Sequence, residues 1–269
     1  MCLAAATVLV ASCAGGDSVT RLGPGSSPAW SPDGSRIAFV SPVGGIYLME
    51  AGGGNPTVLL PGESMCPSWS PDGDRIAFLT QNSIITIGTN GESPAGVDTS
   101  SSFWQWSRVS WSPDGRRIAF STSDGGEWHI YLVNVDGTGK TMLSVEGADD
   151  SNPAWSPDGQ RIAFDSERDG HSEIYIMDAD GGNVTRLTDN NYTDMYPSWA
   201  PDGESIAFIS SRDGQLEVYM MNADGSNVAG LTQNDVYELA LDWSPDGSRI
   251  AFSGQTEDEW QIYVVDVPA

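Results

Sequence analysis

Five residues, Trp-Ser-Pro-Asp-Gly, recur along this chain and fix what it can fold into. They stand at 30–34, 69–73, 111–115, 155–159 and 243–247, and a sixth copy at 199–203 carries Ala200 in place of the Ser. Successive Trp residues are 39, 42, 44, 44 and 44 positions apart. Pro fixes φ, and Asp-Gly supplies a tight turn with positive φ open to the Gly, so each copy reads as a bend between two short strands. A unit this short cannot bury a core alone and must stack on its neighbours. The 269 residues are therefore expected to form one repeat domain.

Around each bend the pattern is that of a sheet. In the fourth repeat Asn152-Pro-Ala-Trp155 is a first short strand, and 161–166 a second with Ile162 and Phe164 on one face. A third follows at 173–178, a turn at Asp180, and a fourth at 184–187. Period-two alternation between Gly, Pro and Asp punctuation predicts a four-stranded antiparallel meander and argues against a helical repeat of similar length. The second strand recurs as Arg-Ile-Ala-Phe from Arg36, Arg75, Arg117, Arg161 and Arg249, and as Ser205-Ile-Ala-Phe208. The second repeat is degenerate in its third strand, Ile84-Ile-Thr-Ile87, and an aromatic insertion at 103–108 precedes the third Trp.

Four strands in each unit of 40–45 residues are the mark of a β-propeller, and six units predict six blades. The last unit has only three strands, while a lone strand at 18–22 begins the propeller. That strand is expected to complete the sixth blade beside 261–267. The fold class is thus all-β, a six-bladed propeller over 18–269 closed by strands from both ends.

Residues 1–13 read as a signal peptide, with an apolar run too short to span a bilayer as a helix. Val10-Ala-Ser-Cys13 resembles the bacterial lipoprotein cleavage box, which makes Cys13 the expected lipidated residue. The usual cationic segment before the apolar run is missing. Residues 14–17 are a short tether, so the protein is expected outside the bacterial cytoplasmic membrane, periplasmic or extracytoplasmic, held by a lipid anchor alone. Removing the leader leaves Cys66 as the single Cys. A formal charge of −25, from 37 acids and 12 bases, excludes nucleic acid as a natural partner and favours cationic ones.

The series Trp-Ser-Pro-Asp-Gly, Ile-Ala-Phe, Ile-Tyr, Asp-Gly, Leu-Thr resembles the TolB-type propeller repeat, and does so across 18–269. The resemblance implies the propeller fold. It implies less about function, because such repeats also occur in propellers fused to peptidases and in lyases. TolB itself is a soluble periplasmic protein that binds partner proteins and carries an α/β domain before its propeller.

Candidate chemistry lies just before each Trp. The first strand of a blade is innermost, so its start approaches one mouth of the central channel. Five residues before Trp stand Gly25, Ser64, Trp106, Asp150, Asp194 and Glu238. Three residues before it stand Ser27, Cys66, Arg108, Asn152, Tyr196 and Ala240. Asp150, Asp194 and Glu238 are expected to form an acidic arc at the mouth, with Trp106, Arg108, Asn152 and Tyr196 as further ligand-binding candidates. The recurring Arg is expected to pair with a carboxylate of its own blade, and the turn acids Asp136, Asp180 and Asp224 to serve turn geometry. There is no Gly-x-Ser-x-Gly elbow and no His-Glu-x-x-His, and only His129 and His171 are available. No catalytic residue and no resident metal are assigned. The expected function is a monomeric, non-catalytic scaffold for an envelope protein or peptide. The alternative is a hydrolase, lactonase or lyase using Ca²⁺ at the acidic mouth.

Overall fold

The computed structural model describes residues 19–98, 107–124, 126–144, 147–256 and 259–268. The expectations for the leader, Cys13, the tether 14–17 and Trp106 lie outside these residues. The described residues form six four-stranded antiparallel sheets and no helix. Blades 1 to 6 begin with the inner strands Ser26–Trp30, Met65–Trp69, Val109–Trp111, Asp150–Trp155, Asp194–Trp199 and Tyr237–Trp243. Each inner strand packs against the next, and the sixth against the first, so the blades form a closed ring.

The closing blade is shared between the two ends of the chain, as the sequence predicts. Thr20–Pro24 pairs antiparallel with Glu259–Asp266, Thr20 opposite Val264 and Pro24 opposite Gln261. The strand lies two residues later than expected; its register shifts between Arg21 and Gly23, and beyond it the Gly25 N–H bonds the Trp260 carbonyl at 2.9 Å.

The repeat explains the core. Ile, Ala and Phe of each second strand are buried on both faces, because a blade is covered by a neighbour on either side. Ala119, Ile130 and Leu132 of blade 3, for example, share one cluster with Trp155, Ile162 and Phe164 of blade 4. Burying one such Phe contributes about 1.5–3 kcal/mol. The Ser of the bend is a hub. In five copies its Oγ donates to the Asp Oδ1 at 2.6 Å and accepts the N–H of the following Arg at 2.9 Å. That hydrogen bond is the main reason the Asp33 and Asp246 carboxyls are pulled down to about 2.

The recurring Arg does not seek a carboxylate. Arg36, Arg117, Arg161 and Arg249 lay their guanidinium groups 4.7–5.0 Å from the Trp ring of the next blade. Arg75 instead bonds Thr86 and the Ser93 carbonyl. The reason is position: the Arg begins a second strand whose neighbour across the seam is a buried indole face, and a guanidinium stacks there without losing its outer hydration.

Candidate functional site

The inner strands are not regular. Their pairing with the second strand slips between Ser26 and Ala29, Met65 and Ser68, Ser151 and Ala154, Met195 and Ser198, and Leu239 and Leu241. Within each slip the residue three before Trp has positive φ: Ser27 51°, Cys66 46°, Asn152 52°, Tyr196 55° and Ala240 46°. Left-handed backbone is costly for residues with a Cβ, and such bulges re-aim a side chain. Here they turn five side chains of one ring inward, at the positions where the repeats differ most.

One cavity of about 220 Å³ is lined by Ser27, Cys66, Arg108, Ala240 and Asp242, with Trp30, Trp69 and Trp243 among its walls. Arg108 Nη1 donates to the Pro197 carbonyl at 3.3 Å. Blades 3 and 5 are not neighbours, so this contact crosses the central channel. Asp242 Oδ2 accepts the Trp30 N–H at 2.8 Å, tying blade 6 to blade 1. Enclosure lifts the Asp242 carboxyl to about 6, against the pull of Arg108 and the Trp30 N–H. Burial also pushes the Cys66 thiol up, and its sulfur lies 3.6 Å from Ser27 Oγ.

A second cavity, of about 400 Å³ and more open, lies among blades 3, 4 and 5. Asp165 is 4 % exposed there. Its oxygens accept Ser151 Oγ at 2.5 Å, Asn152 Nδ2 at 3.0 and 3.3 Å, and the Tyr196 N–H at 2.9 Å. Burial nevertheless raises its carboxyl to about 6. Tyr196 is raised by its own burial and then by the Asp165 charge. Trp128, Ser172, Asp149 and Glu167 complete much of the wall.

The structure therefore brings Asn152 and Tyr196 together in one cavity and places Arg108 in the other. Asp150, Asp194 and Glu238 do not line an open mouth. They are 0–1 % exposed and lie in the seams between blades. Arg168 Nη2 lies 2.8 Å from both Asp150 oxygens, and Arg212 Nη2 lies 3.0 and 3.2 Å from those of Asp194. Glu238 accepts from Thr232 Oγ1 at 2.6 Å, Asn234 Nδ2 at 2.7 Å and the Val218 N–H at 2.8 Å. The reason is parity. Positions five and three before Trp share a face only in an unbroken strand, and the bulge between them separates their directions. The turn acids behave as expected: Asp136 and Asp224 each cap their own turn through Thr138 and Ser226.

Sequence reasoning missed Asp165 and Asp242, although the repeats carry a signal for both. The residue after Ile-Ala-Phe is Val40, Leu79, Ser121, Asp165, Ile209 and Ser253 in turn, and the residue before Trp is Ala29, Ser68, Ser110, Ala154, Ser198 and Asp242. Each column holds one acid among apolar or small residues. No group of three or more His, Cys, Asp or Glu placed to hold a metal ion occurs among the described residues.

The profile of the TolB beta propeller domain matches residues 15–147, 64–195 and 109–269. No curated protein matches the chain. Among solved structures, a protein assigned as TolB from Agrobacterium tumefaciens is 26 % identical, covering 93 % of this chain and 91 % of its own at a TM-score of 0.72. A gluconolactonase from Xanthomonas campestris is 14 % identical over 94 % of this chain and 90 % of its own, TM-score 0.70. An oligogalacturonate lyase from Vibrio parahaemolyticus is 12 % identical over 93 % of both chains, TM-score 0.63. The last two likenesses are of fold alone.

Proposed function

The chain belongs to the TolB beta-propeller family, and from that premise we propose that it is a non-catalytic scaffold of the bacterial cell envelope. It works outside the cytoplasmic membrane, tethered through Cys13, and holds a protein or peptide at the end of its channel. One observation carries this reading. The frame repeats almost without change, while the inward ring of Ser27, Cys66, Arg108, Asn152, Tyr196 and Ala240 differs at every blade, five of them held by strained backbone. An individual inner surface on a uniform frame is what recognition of one ligand requires.

A photo-crosslinking side chain at Glu167, on the rim of the larger cavity, should capture an envelope protein that the same group at Asp180, in the exposed turn between the third and fourth strands of the same blade, does not. Identical adducts from both positions would overturn the reading. The catalytic alternative draws on the raised Asp165 carboxyl, which suits a general base near neutrality. Its oxygens are already occupied by Ser151, Asn152 and the Tyr196 N–H, which favours binding over proton transfer.

A further inference from the structure

We propose that the larger cavity, among blades 3, 4 and 5, is a site for an organic cation carrying N–H donors, a guanidinium or an ammonium group. This deepens the binding reading above and rests on it only for the source of the cation.

Asp165 forms the floor as a buried carboxylate. Among the described residues every hydrogen bond it accepts comes from a neutral group, and no Lys, Arg or His lines the cavity. Asp149 and Glu167, both exposed, add two more acids at the rim. A buried carboxylate facing only neutral donors and further acids is a field awaiting a cation. Asn152 supplies the independent observation. It is 7 % exposed, lines the cavity, and its Oδ1 accepts no hydrogen bond. Rotating the amide would not cure this, because its oxygen would then face the Asp165 carboxylate that the Nδ2 now serves. An unused acceptor beside acids that meet only neutral donors calls for a positively charged donor.

The donors also say which kind of cation. The described acids do not converge as a metal-binding group of three. They are spread over floor and rim, with an amide oxygen between them, which suits a planar or tetrahedral nitrogen group that donates in several directions. Trp128, half-buried in the wall, offers an aromatic face to such a group. A cavity of about 400 Å³ has room for the end of an arginine or lysine side chain or for a free amine.

Titration calorimetry on the full chain tests this with ethylguanidinium and ethylammonium as free cations. A short peptide with one Arg and its citrulline counterpart serve as the second pair of probes. The Arg peptide should bind at least about tenfold more tightly than the citrulline peptide. Asp165→Asn should cost about tenfold, and Glu167→Gln on the exposed rim about twofold to fivefold. Asp242→Asn, in the other cavity, should change nothing. Should Asp165→Asn not fold, Glu167→Gln and Trp128→Ala carry the test. Absence of binding by every cation, or binding indifferent to the rim variants, overturns the site. Free cations bound with the expected variant pattern but no peptide bound establish the site and remove the peptide-binding reading. Arg and citrulline peptides bound equally keep that reading and overturn the cation site.

Discussion

The seam between blades 4 and 5 and the seam between blades 5 and 6 are built from the same positions 44 residues apart, and they handle buried charge in opposite ways. In the first, Glu173 and Asp194 are fully buried. Arg186 Nη2 lies 2.9 Å from Glu173, Arg212 Nη2 lies 3.0 Å from Asp194, and Asn190 Nδ2 links the two acids at 3.2 and 2.7 Å. In the second, Glu217 and Glu238 replace them, and Asn234 again bridges, through its N–H to Glu217 and its Nδ2 to Glu238. Both arginines are missing: Gly230 and Thr256 stand in their places. Glu217 Oε2 is buried without a partner. Burial first, and the Glu217 charge second, lift Glu238 from an ordinary glutamate's 4.5 to about 8. One seam is neutralised by cations, the other by holding a proton. The same backbone tolerates both because neutrality, rather than a particular partner, is what a buried carboxylate demands.

Removing a cation from the first seam is the severest way to break the comparison. Arg212→Met leaves Asp194 buried with only Asn190, and should cost about 3 kcal/mol or more in denaturant unfolding. Asp194→Asn on that background should recover most of the loss. A single variant as stable as the wild type would mean that Arg212 contributes nothing to the seam.

The second seam is broken by pH. Between 4.5 and about 8 the folded chain keeps a proton on Glu238 that the unfolded chain releases. The folded state thus binds more protons there, and stability falls as pH rises through that window, then levels above it. Asp165 and Asp242, lifted to about 6, act in the same sense lower down. The bend acids Asp33 and Asp246, pulled to about 2, act in the opposite sense and only in acid. From about pH 6.5 to 8 the pair in the seam dominates, and the wild type should lose about 1–2 kcal/mol. Glu238→Gln should flatten that slope; an unchanged slope would show that Glu238 is not the group concerned.

These two seams also mark how far the sequence speaks. Six blades, the closing strand and the bend were legible because each repeats or is conspicuously missing once, and repetition averages out local accident. The seam acids were visible as residues but not as buried ones. Their direction depends on a bulge at the position three before Trp, where of Ser27, Cys66, Asn152, Tyr196 and Ala240 only Asn152 is a residue type that favours positive φ. The partners of Asp150 and Asp194 were equally hidden, since Arg168 and Arg212 lie 18 residues downstream, beyond the next strand. Asp165 and Asp242 were within reach, as single acids in otherwise apolar or small columns. The columns three and five before Trp drew attention because they mix small, aromatic and charged residues, whereas each of these two holds a single acid.

Gly230→Arg sharpens the comparison by giving the second seam the cation of the first. A Cβ at Gly230 would lie 3.3 Å from the Tyr219 ring, so the ring must give slightly. Arg186 occupies the equivalent place beside Tyr175 in blade 4. The new guanidinium should draw the proton off the Glu217–Glu238 pair. The gain should be about 1 kcal/mol at pH 8 and smaller at pH 5, where Glu238 holds its proton. A gain of equal size at both pH values would mean that the arginine packs but does not pair.

The smallest difference lies at the bend itself. Across the first seam Arg161 stacks 4.7 Å over Trp199. Across the second, Ser205 stands where the Arg should be, and Trp243 has no such cover, although its Nε1 still bonds the Ser198 carbonyl at 3.1 Å. Ser205→Arg should therefore add about 0.5–1 kcal/mol at any pH, by stacking a guanidinium that keeps its water over the Trp243 ring. The pH-independence is the diagnostic part. An effect that grew with pH would show the new cation reaching the Glu217–Glu238 pair instead, and the two defects of this seam would then be one.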